Sequence, residues 1–196
     1  VAGLGAAGIL AGCSSNDGGS GSGSASGAGE FKIGSIGPLT GAAASYGTSV
    51  KNGAELGCKD FSTDAITFVS KCEDDVADGE KSVNAFNSLA DWGMQALVGP
   101  TTTGASLAVA EVANSDPKIF MITPSASSSD VTADKTCVFQ ACFSDPNQGA
   151  NAAVKLAEMF PDEKFVVFYN SGDTYSSGIR DAFIAKAEEL KLEIVD

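Results

Sequence analysis

Two short hydroxyl-rich runs carry the groups best suited to holding a small polar solute. Thr101-Thr102-Thr103-Gly104 follows one apolar stretch and opens a helical one, and Ser125-Ala126-Ser127 follows another apolar stretch. Backbone N–H groups at a helix N-terminus are unpaired and carry the positive end of the helix dipole. With the hydroxyl of Thr103, and Thr102 beside it, they would give a carboxylate its donors without a bulky cation. The competing role for such a threonine is to cap its own helix, and for the serine run an ordinary turn. Tyr46 and Tyr175, two of only three tyrosines, each lie in a loop entering a helix. Facing rings there could cover an apolar side chain and exclude water. The third, Tyr169, ends an apolar run and reads as core, and Trp92 reads as packing at the end of an amphipathic helix.

Other chemistry is excluded by what the chain lacks. It has no histidine, which removes Ser-His-Asp and Cys-His nucleophile pairs, His-ligated metals and a histidine pH switch. G-x-S-x-G and C-x-x-C are absent too, so an α/β enzyme is a weak alternative. Glu73-Asp74-Asp75-x-x-Asp78-Gly79 misses the D-x-D-x-D-G spacing of a calcium loop and reads as a strand end followed by a helix cap. No metal and no cofactor are expected. The net charge of −13 and pI near 4.2 argue against sequence-independent nucleic-acid binding and against docking on anionic lipid by charge.

The elements that must position these groups begin after residue 30. Phe31–Ile36, Ile66–Cys72, Gln95–Val98 and Ile119–Ile122 read as strands. Between them, helical spacing runs over Tyr46–Cys58 (a small-residue face of Val50, Gly53, Ala54, Gly57 and Cys58), Asp78–Trp92 and Gly104–Asn114. Such alternation predicts an α/β fold with a doubly wound, mainly parallel sheet and right-handed crossovers. A further strand is expected at Cys137–Phe143. Beyond it lie a helix through Ala153, Leu156, Ala157 and Phe160, a buried strand at Phe165–Tyr169, a helix through Ile179, Phe183, Ala187 and Leu190, and a last strand from Leu192. The chain stops inside that strand, which reads as a fragment.

The first thirty residues read differently. Val1–Gly12 is apolar and too short for a bilayer span, which takes roughly twenty residues, but it suits a secretory signal core whose start is missing. Gly3-x-Gly5-x-x-Gly8 mimics a dinucleotide fingerprint without the strand and helix that motif needs. Leu10-Ala11-Gly12-Cys13 resembles the lipobox of bacterial lipoproteins, which implies cleavage before Cys13 and diacylglyceryl attachment to it. Ser14–Gly29, nearly all Ser, Gly and Ala, reads as a flexible tether of roughly 20–24 Å r.m.s. reach. Asp17 is the only charge in residues 1–29, so −12 of the −13 belongs to the part from Glu30 onward.

Several segments together resemble the extracytoplasmic solute-binding proteins of ABC importers for branched-chain and related amino acids. They are Ile33-Gly34-x-Ile36-Gly37-Pro38-Leu39-Thr40-Gly41 with Tyr46-Gly47, Glu73-Asp74-Asp75, Gly99-Pro100-Thr101-Thr102-Thr103-Gly104, Thr123-Pro124-Ser125-Ala126-Ser127, Asp145-x-x-Gln148-Gly149, and Tyr169 through Gly178. The resemblance implies a two-lobe periplasmic-binding-protein-like fold of type I, closing on ligand about a hinge. It divides the chain into leader and lipobox (1–13), tether (14–29), N-terminal lobe (30–144), hinge crossing (145–148) and an incomplete second lobe (149–196). It implies no catalysis. It puts Thr102 and Thr103 at the ligand carboxylate, Ser125, Ala126 and Ser127 at its carboxylate and ammonium, and Tyr46 and Tyr175 over its side chain. The acidic partner of the ammonium is expected later in lobe two, beyond this chain. The implied partners are an amino acid, permease subunits with their ATPases, and the cell membrane through the lipid at Cys13. The implied location is the extracytoplasmic face. A ligand-sensing receptor on the same fold is the alternative.

Five cysteines leave an odd one, which acylation of Cys13 accounts for. The other four, Cys58, Cys72, Cys137 and Cys142, allow three full pairings in an oxidising compartment. Cys58 with Cys72 would join a helix end to the next strand. Cys137 and Cys142 point to opposite faces of an unbroken strand, which argues against that bridge.

Overall fold

The computed structural model describes residues 29–115 and 117–195; the leader, Cys13 and nearly all of the expected tether lie outside them. Five parallel strands form the main sheet: β1 (Gly29–Gly37), β2 (Ile66–Asp74), β3 (Ala96–Val98), β4 (Phe120–Thr123) and β5 (Val138–Gln140), in the order β2-β1-β3-β4-β5. Gly29, expected in the tether, already pairs with Ile66. Helix α1 (Ala44–Phe61) covers β1 and β2 on one face, while α2 (Gly79–Trp92) and α3 (Thr103–Ala113) cover the other. The alternation of β1 shows why two faces form. Gly34 lies against Leu89 and Met94 of the α2 side, while its neighbour Ile33 faces α1. The α/β, doubly wound, parallel fold is thus as expected.

The core lies on the α2–α3 face. Ile36, Leu89, Leu97, Val109 and Met121 are fully buried there, each worth about 1.5–3 kcal/mol in apolar burial. Helix α3 contributes Ala105, Val109, Ala110 and Ala113, small residues that let it lie close on the strands. Trp92 packs on the rim of this core beneath the Lys32 ammonium. On the opposite face α1 and the sheet leave an apolar groove of about 850 Å³, lined by Ile33, Val50, Ala54, Phe61, Phe68 and Val98.

After β5 the chain enters α4 (Asp145–Met159), followed by β6 (Lys164–Phe165), α5 (Thr174–Leu190) and β7 (Glu193–Ile194), with β6 and β7 parallel. Ala153, Phe183 and Ala187 form a separate small core with Leu156, Val167, Ile184, Leu192 and Ile194 against it. Three expectations change here. Residues 145–148, expected as a crossing segment, are the first turn of α4, with Pro146 in the position where a missing N–H costs nothing, and residues 141–144 before it are irregular. The run Phe165–Tyr169 pairs only at its start: Phe168 is exposed, and Tyr169 is half-exposed beneath the Arg180 guanidinium rather than in the core. The third is the Cys58–Cys72 bridge, for both cysteines are free thiols. The Cys58 thiol lies near Ser70, whereas that of Cys72, two residues further along β2, lies near Ser35, and the charge of Glu55 bears on both. Cys137 and Cys142 are free as well, with β5 ending between them.

Candidate functional site

The strand order changes direction between β1 and β3, since β2 lies on one side of β1 and the later strands on the other. In open parallel sheets the loops at the carboxyl ends beside such a reversal part and leave a crevice. Those loops are residues 38–43 after β1, 99–102 after β3 and the turn after β4. They meet the N-terminal turn of α5 around a cavity of about 250 Å³ lined by Ala43, Tyr46, Thr101, Thr102, Thr103, Ser125, Asp173 and Tyr175. Five of the seven expected ligand residues therefore line one cavity: Tyr46, Thr102, Thr103, Ser125 and Tyr175. The larger groove beside α1 is almost wholly apolar and offers little to orient a polar ligand.

The capping role falls differently from expectation. Thr102, not Thr103, is the N-cap of α3, and its side chain makes no capping bond. Thr102 Oγ1 is instead buried with no hydrogen-bond partner among the described residues. Thr103 is the first helical residue and is buried at the cavity wall. Among the described residues no side chain caps the first-turn N–H groups of α3, so a donor-rich end stands at the cavity.

The remaining two expected residues have other partners. Ser127 is fully buried, and its hydroxyl donates to Asp145 Oδ1 at 2.6 Å. The Ala126 N–H donates to Thr123 Oγ1 at 3.0 Å, while its carbonyl faces the Cys142 thiol at 3.2 Å. Neither residue lines the cavity, because the turn is folded inward on its own hydrogen bonds.

A hydroxyl network missed by sequence reasoning fixes the walls. Thr123 and Ser106 both donate to the Pro100 carbonyl, at 2.7 and 2.9 Å, tying the loop after β3 to the end of β4. Gly99, at φ +116°, admits no side chain there, since a Cβ would stand 2.3 Å from the Ile36 carbonyl oxygen. Asp74, at the end of β2, holds the loop after β1 by accepting from the Leu39 N–H and the Thr40 hydroxyl, and the Val76 N–H joins them. The Thr40 bond leads in drawing its carboxyl below the usual range. Asp75 and Asp78 are spent on Ala77, Ser82 and Lys81, as a strand end and helix cap require.

The two rings stand near each other at the cavity. Burial lifts the Tyr175 phenol above its ordinary range, and the charge of Asp145, with Tyr46 and Asp173, lifts it further. Asp173 was also missed. It is the N-cap of α5, and Asp followed by Thr-Tyr-Ser-Ser was the available signal.

Residues 30–196 match the periplasmic binding protein family, and the chain belongs to it. It is 32% identical over 161 residues to the Leu/Ile/Val-binding protein BraC3 of Rhizobium johnstonii, covering 80% of this chain and 43% of that one. Its fold superposes on the leucine binding protein LivK of Thermotoga maritima with a TM-score of 0.78 and 28% identity, over 84% of this chain and 47% of that one. It also superposes on LivJ of Streptococcus pneumoniae, a branched-chain amino acid transporter substrate binding protein solved with isoleucine. That match has a TM-score of 0.77 and 26% identity over 85% of this chain and 48% of the other. The chain therefore spans just under half the length of these relatives. The matching proteins bind solutes, in line with the expectation of no catalysis.

Proposed function

We propose that the full-length protein captures a branched-chain or other aliphatic amino acid between two lobes and delivers it to the permease of an ABC importer. The observation that carries this reading is the donor-rich end of α3, with Thr102 Oγ1 buried and unpartnered, set in a small cavity between two tyrosines. A carboxylate satisfies those donors, and the rings shield an apolar side chain from water. The relatives named for Leu/Ile/Val, leucine and isoleucine support the choice of ligand class. Closure follows from contacts made on both sides of the cleft at once, which only the closed state provides.

In this reading Cys13, after Leu-Ala-Gly, carries the lipid, and residues 14–28 tether the lobes outside the cell membrane. Thermal melting of the full-length protein against the twenty amino acids tests the proposal. Stabilisation by one or more aliphatic amino acids is expected, about 2.7 kcal/mol at a hundredfold excess over Kd. No shift with any of the twenty refutes it.

A further inference from the structure

Asp145 opens α4, but its side chain is buried and does not line the cavity. It joins three elements instead. Its N–H donates to the Ser127 carbonyl at 2.9 Å and its Oδ1 accepts the Ser127 hydroxyl at 2.6 Å, which fixes α4 to the turn that carries Ser125 to the cavity. Its Oδ2 has no hydrogen-bond partner among the described residues and lies against α5, where a Cβ at Gly178 would stand 2.8 Å from it. Gly178 comes three residues after Tyr175, on the same face of that helix. No ion pair among the described residues includes Asp145. From α5 the groups that bear on it are Asp173 and Tyr175, and Tyr46 and Cys142 gather with them about the Tyr175 phenol. Arg180 of α5 is turned to Asp181 and the Tyr169 ring. The turn after β4 offers the Ser127 hydroxyl alone.

An ionised carboxylate in this place costs far more than a neutral carboxyl, because one hydroxyl and no cation offset its lost hydration. Burial pushes the Asp145 carboxyl up, the Ser127 bond opposes this, and the charge of Asp173 adds to it. Ionisation calls for a donor at Oδ2, and Gly178 closes that side, so α5 must give way to admit one. Tyr175 moves with α5. We propose that Asp145 is a positioning residue that seats the Tyr175 wall of the cleft while it carries a proton, so that the protein holds its ligand more tightly with this carboxyl neutral than ionised. The proposal rests on the amino-acid reading above and adds to it a proton taken up with the ligand, as linkage requires when the protonated form binds better.

Calorimetric titration of the full-length protein with leucine, isoleucine and valine between about pH 4 and pH 8 tests this, over the range where its circular dichroism is unchanged and in buffers of different ionisation enthalpy. Wild type is expected to bind about 10-fold more weakly above the titration of this carboxyl than below it, and to take up protons on binding within it. Asp145→Asn keeps an acceptor for Ser127 and puts an uncharged group in place of Oδ2. It is expected to match the low-pH affinity of wild type and to hold it as pH rises, with less proton uptake. Asp173 and the other carboxyls titrate in both proteins and cancel from the difference. Parallel pH profiles, whether or not the variant binds more weakly throughout, would show a purely structural residue and overturn the proposal. If the variant folds poorly, wild type decides alone: an affinity that does not fall with pH, or binding without proton uptake, overturns it. If wild type binds none of the three amino acids at any pH, the amino-acid reading itself fails and this proposal falls with it. Binding with no difference in pH dependence between the two proteins sinks the proposal alone.

Discussion

Ser127 and Asp145 hold each other by two hydrogen bonds. The Ser127 hydroxyl donates to Asp145 Oδ1 at 2.6 Å, and the Asp145 N–H donates to the Ser127 carbonyl at 2.9 Å. The pair joins the turn after β4, which carries Ser125 into the cleft, to the first turn of α4. Ser127, expected to touch ligand, is thus engaged with Asp145 and is not among the residues lining the cavity. The second carboxylate oxygen, Asp145 Oδ2, is buried with no hydrogen-bond partner among the described residues and packs against Gly178 of α5.

Replacing Ser127 by Ala leaves the buried Asp145 side chain without a donor. The expected loss is about 1.5–3 kcal/mol, the range for a hydrogen bond to a charged group. Urea unfolding of the full-length protein reads this as a lower midpoint at unchanged slope. An unchanged midpoint would show that the pair contributes nothing.

Burial pushes the Asp145 carboxyl above the ordinary aspartate range, the Ser127 bond opposes this, and the charge of Asp173 adds to it. Between the ordinary and the raised value the folded state holds a proton that the unfolded state has lost. Stability contributed by this group is therefore greatest below that window and falls as pH rises through it. Asp145→Asn should remove this slope, so that wild type loses ground to the variant as pH climbs across the window. Asp75, also raised chiefly by burial, acts in both proteins and cancels from the difference. Parallel stability curves for the two proteins would contradict the assignment.

Gly178→Ala should destabilise the protein although alanine is the better helix former. A Cβ there would lie 2.8 Å from Asp145 Oδ2 and 3.3 Å from Asp145 Cβ. Overpacking of this kind costs about 1–3 kcal/mol, against about 1 kcal/mol gained in helix propensity. The double variant with Asp145→Ala should lose less than the sum of the two single changes, a coupling that a double-mutant cycle reads directly.

The alternation of apolar runs gave the order of strands and helices well, because Asp78, Gly93 and Pro124 mark boundaries that local chemistry alone decides. The cleft was legible where residues follow strand ends, as at Thr102, Thr103 and Ser125. It was not legible at Ser127, whose partner is contributed by a different helix. Phe165–Tyr169 misled for a related reason. An apolar run reads as a buried strand whether or not a neighbour pairs with it, and only Lys164–Phe165 pairs here. Cys58 and Cys72 suited a bridge in sequence, but their positions along α1 and β2 give them different partners.

The central claim is that the α3 N-terminus is the carboxylate end of the ligand site. Calorimetric titration of the full-length protein and its Thr102→Val, Thr103→Ala double variant with leucine, isoleucine and valine tests it most directly. Losing an unpartnered hydroxyl at Thr102 should cost the fold little, so the expected result is a folded variant that binds about 100-fold more weakly or not at all. A variant that binds as tightly as wild type would contradict the account.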